Sequence, residues 1–148
     1  MRYFKIAKGF FDLDKSFIPE RQTACSAGYD IKSAKIYLIR PLEITFIATG
    51  IKVAMPKNEF LMIALRSSLA KKKLLMLNGV GIIDADYYGN PENDGAIVIP
   101  VINLSAHCIR IAKGERIAQG IFLKYDVVKK DLIGNGKKRI SGLGSTGK

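Results

Sequence analysis

The sequence predicts an all-β fold carrying one short helix. Three features predict it: the apolar runs are brief, β-branched residues fill them, and turn residues interrupt them about every ten positions. In chain order the expected strands cover 36–39, 42–47, 51–53, 60–65, 96–104, 109–111 and 116–122. Pro41, Gly50, Pro56, Asn78-Gly79 and Lys113-Gly114 punctuate them, and Ala27-Gly28-Tyr29-Asp30-Ile31 reads as a turn entering a further strand. A sandwich, a jelly roll and a barrel all suit this pattern. The helix is expected at 69–74, with Ser67 or Ser68 as its N-cap. No internal repeat or second domain stands out, so a β core over 1–128 is followed by a glycine-rich arm over 129–148.

A chain of 148 residues suits one domain, large enough to bury about two-thirds of its unfolded surface. Apolar content of 48% and charged content of 25% are those of an ordinary globular protein. No apolar run reaches the length of a membrane span, and Met1-Arg2-Tyr3-Phe4-Lys5 is too interrupted by charge for a signal peptide, so a cytoplasmic location is expected. Cys25, Cys108 and His107 match no familiar zinc spacing. The net charge of +11 raises the local concentration of anionic partners without choosing between a nucleotide, a nucleic acid or neither.

The residues that carry chemistry concentrate at 78–89. Asn78-Gly79 between apolar runs signals a hairpin, since both residues accept the positive φ of a tight turn. A hairpin backbone offers fixed N–H and C=O groups that match the edge of a flat heterocycle, and Asp84 follows as a carboxylate placed to activate water. The plain alternative is a hairpin with a solvated acidic end. Arg66-Ser67-Ser68 offers a guanidinium fork, two hydroxyls and helix-start amides to a phosphate, or else is a cap with a surface arginine. Gln119, in a strand after the Gly114 turn, is either functional or merely structural. The last twenty residues hold six basic residues, one acid and five glycines, which leaves either a frayed tail or a flexible arm that orders on an anion. Within it Gly142-Leu143-Gly144-Ser145-Thr146-Gly147 has the glycines and hydroxyls of a phosphate-wrapping loop, though not the order of a Walker A loop.

Taken in order, Ala-Gly-Tyr-Asp at 27–30, Arg-Ser-Ser-Leu-Ala at 66–70, Asn-Gly-Val-Gly-Ile-Ile-Asp-Ala-Asp-Tyr at 78–87, Gly-Glu-Arg-Ile-Ala-Gln at 114–119 and Gly-Leu-Gly-Ser-Thr-Gly at 142–147 resemble the five motifs of the homotrimeric dUTPase family. The resemblance spans about four-fifths of the chain. It implies a jelly-roll-like β-clip subunit, three of which share three active sites. It also implies cleavage of dUTP to dUMP and pyrophosphate, which limits uracil incorporation into DNA and supplies dUMP for thymidylate synthesis. Mg²⁺ would be held mainly by the triphosphate, with no membrane and no nucleic acid required.

By the same resemblance, Asp84 matches the carboxylate that orients and deprotonates the attacking water. Tyr87 matches the ring that packs under the deoxyribose and leaves no space for a 2′-hydroxyl. Asn78, with backbone groups at Gly81, Ile82 and Ile83, matches the uracil reader. Arg66, Ser67 and Ser68 match the phosphate contacts, and Gln119 an amide near the phosphates and the water. Asp30 matches an acid that supports the metal through its water shell, or the neighbouring subunit. Arg139 matches the arm arginine in preference to Lys138, and Gly144, Ser145 and Thr146 fall in the arm that closes over substrate bound at a different pair of subunits.

Two competing readings follow from the residues. A dCTP deaminase of related fold needs a glutamate in the strand after the third motif, and Ala96-Ile97-Val98-Ile99-Pro100-Val101-Ile102-Asn103 holds no acid. A regulatory or nucleic-acid-binding protein on the same fold would suit the charge, but no aromatic residue follows Tyr125 to supply stacking. Departures from the family pattern lie in the arm and after the third motif. Ser141 replaces a glycine, and Pro91-Glu92-Asn93-Asp94-Gly95 forms an extension without an evident role. Leu143 replaces the usual phenylalanine, which keeps apolar cover over the base but loses stacking. Leu143→Phe is therefore expected to lower KM for dUTP or raise turnover, and steady-state kinetics unchanged in both would refute the stacking argument.

Overall fold

The computed structural model describes residues 1–137, 139, 140 and 142. Its strands are β1 Tyr3–Ile6, β2 Tyr29–Lys32, β3 Tyr37–Ile39, β4 Ile44–Ala48, β5 Ile51–Ala54, β6 Glu59–Leu65, β7 Leu74–Met76, β8 Gly81–Asp84, β9 Val98–Asn103, β10 Ile109–Ile111 and β11 Arg116–Lys124. They form antiparallel sheets in the orders β2-β11-β6-β8, β4-β9-β7, β1-β5 and β10-β3. The all-β expectation holds, and no sheet closes into a barrel.

Isoleucine dominates the interior. Ile31, Ile39, Ile47, Ile63, Ile97, Ile99, Ile111 and Ile117 are buried in one cluster with Val53, Leu61 and Leu69. Their stiff, branched side chains suit a pleated surface, and each is worth roughly 1.5–3 kcal/mol when fully buried. Along β6 the alternation is plain: Leu61 and Ile63 point inward while Phe60 and Met62 remain half-buried. Asn103, fully buried at the end of β9, ties the sheets together. Its Nδ2 donates to Ile39 O at 2.9 Å and His107 O at 2.8 Å, while its Oδ1 accepts from Ser105 N at 2.9 Å and Ser105 Oγ at 2.7 Å.

Two local expectations need correction. The helix α1 covers Ser67–Lys71, shorter than expected, and its N-cap is Arg66, not a serine. No side chain caps it; buried Leu69 anchors it instead. Lys73 takes the left-handed conformation at φ 62 and ends the helix where no glycine announced it. The second correction concerns Asn78-Gly79, which turns the chain without making a two-stranded hairpin. β7 pairs with β9, and β8 pairs with β6. Only Gly79 takes a positive φ, of 69°, and the turn closes through Gly79 N to Met76 O at 3.0 Å. The chain thus crosses from the edge of one sheet to the edge of another.

The outer side of β4-β9-β7 is apolar. Ile44 and Leu75 flank Ile102 in register, and Ile44, Phe46, Leu75 and Leu77 are each about half exposed. β1, absent from the sequence expectation, pairs with β5, and Arg2 just before it forks onto the buried carboxylate of Glu59.

The extension after the third motif is bolted to β5. Lys52 on that strand bonds Asp94 at 2.6 Å, and Lys8 N donates to the same carboxylate at 2.9 Å. Lys52 also lies 4.7 Å from the centre of the Tyr88 ring, whose phenol is pushed up to about 12 by burial and by Tyr3 beside it. The hydrogen bond from Lys52 holds the Asp94 carboxyl below its usual range. A carboxyl lowered in the folded state stabilises it above its unfolded pKa, and that contribution disappears as pH falls through the folded value. Asp94→Asn is expected to lower Tm at pH 7 and to lose that effect progressively in acid, as pH falls through the lowered pKa of the folded state. A loss of Tm that stays equal from pH 7 down into acid in thermal melts would show that the charge is not what matters.

Candidate active site

The sequence-predicted residues gather in two cavities that share no lining residue. The first, about 330 Å³, lies where β2, β11 and the start of α1 meet. Asp30, Arg66, Ser67 and Gln119 line it, together with Gln22, Ser26, Gly28 and Arg116. Pairing puts Asp30 opposite Gln119, and Gln119 opposite Ala64 on β6. β6 ends at Leu65, which delivers Arg66 to the same rim.

Asp30 organises this cavity. Its Oδ2 accepts from Arg116 Nη1 at 3.1 Å, and its Oδ1 lies 3.7 Å from Arg66 Nε. Arg116 Nη1 also donates to Gln22 Oε1 at 2.7 Å, and Arg66 Nη1 to Arg116 O at 3.4 Å. Two guanidinium groups against one carboxylate leave the lining electropositive, and the fork geometry of arginine suits phosphate oxygens. Ser67, which has no capping role, lines the same space. Ser68 is exposed and lines neither cavity.

Gly28 keeps the cavity open. A Cβ there would meet Gln119 Oε1 at 2.8 Å and Gln119 Cβ at 3.0 Å. Arg116 and Gly28 were quoted within motifs but given no role by sequence reasoning, and Gln22 was missed altogether. Only the fold brings Gln22 to the arginine pair.

The second cavity, about 100 Å³, opens between the sheets at the Asn78-Gly79 crossing. Met76 on β7 and Pro100 on the neighbouring β9 line it together with Asn78, Gly81, Ile82, Ile83, Asp84 and Tyr87. β8 is an edge strand, so alternate residues along its free side leave backbone donors and acceptors without a strand partner. Gly81 sits tightly here: a Cβ would meet Met76 Cε at 3.0 Å and Ile63 Cβ at 3.3 Å, so both neighbours would have to give way slightly.

Asp84 ends β8 opposite Phe60, with its side chain about half exposed at this cavity. Arg139 reaches across from the arm. Its Nη2 bonds Asp84 Oδ2, its Nε donates to Asp86 Oδ1 at 2.9 Å, and its guanidinium lies 6.0 Å from the Tyr87 ring centre. Tyr87 itself is buried, with its hydroxyl donating to Ala96 O at 3.2 Å. Leu143, Gly144, Ser145 and Thr146, like Lys138 and Ser141, lie outside the described residues. Among the described residues, no three His, Cys, Asp or Glu side chains group to hold a metal ion, and Cys25 and Cys108 are exposed and free.

The dUTPase family profile matches residues 14–147. The chain is 43% identical over 131 residues to a deoxyuridine 5′-triphosphate nucleotidohydrolase of Lactococcus lactis subsp. lactis, covering 88% of this chain and 87% of that protein. It superposes on the crystal structure of a dUTPase from Streptococcus mutans with a TM-score of 0.82 at 36% identity, over 86% of this chain and 98% of that one. A dUTPase of phage phi11 of S. aureus, whose structure describes the coordination of a structural Mg(II) ion, shares the fold at 20% identity and a TM-score of 0.72, over 93% of this chain and 99% of that one.

If the first cavity is an anion site, Gly28→Ala should displace Gln119 and weaken binding of inorganic tripolyphosphate by about tenfold. Calorimetric titration checks this, and undiminished affinity with a normal Tm would remove Gln119 from the site.

Proposed function

The chain belongs to the dUTPase family and hydrolyses dUTP, and we propose that Asp84 orients and deprotonates the water that attacks the α-phosphorus, releasing dUMP and pyrophosphate. The observation that carries this reading is Asp84's place at the rim of the cavity that Asn78, Gly81, Ile82, Ile83 and Tyr87 line. A base recognised along the free edge of β8 leaves its phosphates running out past that carboxylate.

Uracil and cytosine differ by exchange of donor and acceptor around the pyrimidine 4-position. A backbone edge complementary to one leaves buried polar groups unpaired with the other, which discriminates strongly. Tyr87 forms the floor under the deoxyribose and excludes a 2′-hydroxyl by contact. Arg66, Ser67, Gln119 and, in addition, Arg116 hold the triphosphate from the first cavity, and the exposed Ser68 meets it from beside that lining. Phosphoryl chemistry of this type rests on positioning and charge neutralisation, with one base for the water.

Mg²⁺ fits this donor set as an ion carried mainly by phosphate oxygens. Asp30 is engaged by two arginines, so its part is through water, and few protein ligands are expected for this ion. When bound, Mg²⁺ offsets phosphate charge. Arg139, beside Asp84 in the same cavity, suits the phosphates as its other partner, and Leu143, Gly144, Ser145 and Thr146 complete the cover over the nucleotide.

A homotrimer, the assembly that the family resemblance implies, completes this reading. The base cavity and the phosphate cavity of one chain have separate linings, which suits active sites that combine the base cavity of one subunit with the phosphate cavity of another. The apolar outer side of β4-β9-β7 supports self-association, since exposed apolar patches on this scale mark contact surfaces.

The test offers the protein with Mg²⁺ each of dUTP, dTTP, dCTP and UTP while pyrophosphate release is followed. Turnover selective for dUTP is expected, with Asp84→Asn lowering kcat by about 10²–10⁴ and leaving the circular dichroism unchanged. Light scattering should return three times the 16.3 kDa chain. Comparable turnover of dCTP would overturn the edge-recognition argument, and a fully active monomer the shared site.

A further inference from the structure

We propose that Asn93 is a positioning residue that sets how strictly the enzyme rejects ribonucleotides, by fixing the ring of Tyr87. The proposal rests on the reading that Tyr87 packs under the deoxyribose.

The segment from Tyr87 to Ala96 is built around two asparagines whose side-chain amides are fully used. Asn90 Oδ1 accepts from Glu92 N and Asn93 N, each at 3.1 Å, while its Nδ2 donates to Tyr87 O at 2.9 Å and Asn93 Oδ1 at 2.8 Å. Asn93 Oδ1 accepts in addition from Gly95 N at 3.0 Å. Its Nδ2 donates to Tyr87 Oη at 2.8 Å and Ala96 O at 3.1 Å. The Gly95 N–H needs an oxygen opposite it, so the orientation of the Asn93 amide follows, and its nitrogen faces the phenol.

Tyr87 is therefore held at both ends. Asn90 grips its backbone carbonyl and Asn93 its hydroxyl. Without Asn93, the hydrogen bond that the buried phenol would keep among the described residues is the 3.2 Å one to Ala96 O. A ring that excludes one oxygen atom from a sugar works by contact, and freedom to tilt opens the space it is meant to fill.

The segment cannot drift as a unit to compensate. Asp94, next in the chain, is tied to Lys52 on β5 and to Lys8 N. Gly95, at φ +82, packs so closely that a Cβ would meet Tyr87 O at 2.7 Å and Gly89 N at 3.0 Å. These contacts give the extension at 91–95 the role that its sequence left open.

The experiment compares kcat/KM for dUTP and for UTP in the wild type, Asn93→Ser, Tyr87→Phe, the double variant and Tyr87→Ala. Asn93→Ser keeps a hydroxyl oxygen for Gly95 N but is too short to reach the phenol, so the turn keeps an acceptor while the ring is released; an aspartate would not serve, since its carboxylate accepts a hydrogen bond from the phenol. Asn93→Ser is expected to lower the dUTP-to-UTP ratio about tenfold through KM, with kcat for dUTP within about twofold of wild type. In the Tyr87→Phe background, where there is no phenol to hold, the same substitution should have no further effect on the ratio. A ratio unchanged by Asn93→Ser, or an equal fall with and without the phenol, would overturn the proposal. Tyr87→Ala separates the two levels: loss of selectivity there with none in Asn93→Ser defeats Asn93 alone, whereas intact selectivity in Tyr87→Ala defeats the placement of the sugar as well.

Discussion

Two strands adjacent in the chain decline to pair with each other. β7 closes one sheet and β8 closes another, and the Asn78-Gly79 turn spans the gap between them. Paired as a hairpin, β8 would spend its free edge on β7. Separated, it retains unpaired backbone groups beside a cavity and keeps a full antiparallel register to β6 on the other side. That combination of an open edge and a fixed register is the condition for reading a heterocycle with main-chain atoms. The isoleucine-rich core holds the register, because a slip by one residue would turn every inward side chain of β8 to the wrong face.

The arginine-lined cavity solves a different problem. Two arginines close together repel each other and are costly to hold in place without a counter-ion. Asp30 supplies one negative charge between them, and its own position is fixed by backbone pairing to Gln119 and Glu20. The pair remains electropositive as a whole while each guanidinium is oriented, so little reorganisation is needed when an anion arrives. The second cavity is balanced differently: Asp84 and Arg139 line it together, and Asp86, outside that lining, takes the other side of the same guanidinium.

Much of this was legible in the residues. β10 begins and ends where its Ile-Arg-Ile alternation placed it, and β6 and β11 were off by one or two positions. Local pattern failed where tertiary context decides. Asn-Gly between apolar runs announces a turn, but nothing within those residues says whether the flanking strands join one sheet or two. Lys73 adopts a left-handed backbone without being glycine, so the helix ended without a sequence signal. Arg116 sat inside a quoted motif, yet its partners Asp30 and Gln22 lie 86 and 94 residues away in the chain. The repeated asparagines of Asn90-Pro91-Glu92-Asn93 were a usable sign, since such side chains bond their own backbone in turns; what they grip was visible only once Tyr87 had been folded against them.

One strand serves both cavities. β6 pairs with β8 along one edge and with β11 along the other, puts Ile63 in the lining of the second cavity and hands Arg66 to the first. On the proposed reading of the two cavities, variation in β6 is pleiotropic: a residue exchanged to broaden nucleobase preference also shifts the grip on the leaving group. Lineages exploring new nucleotides on this scaffold should then show paired replacements across β6, with epistasis between positions that never touch the same part of the substrate.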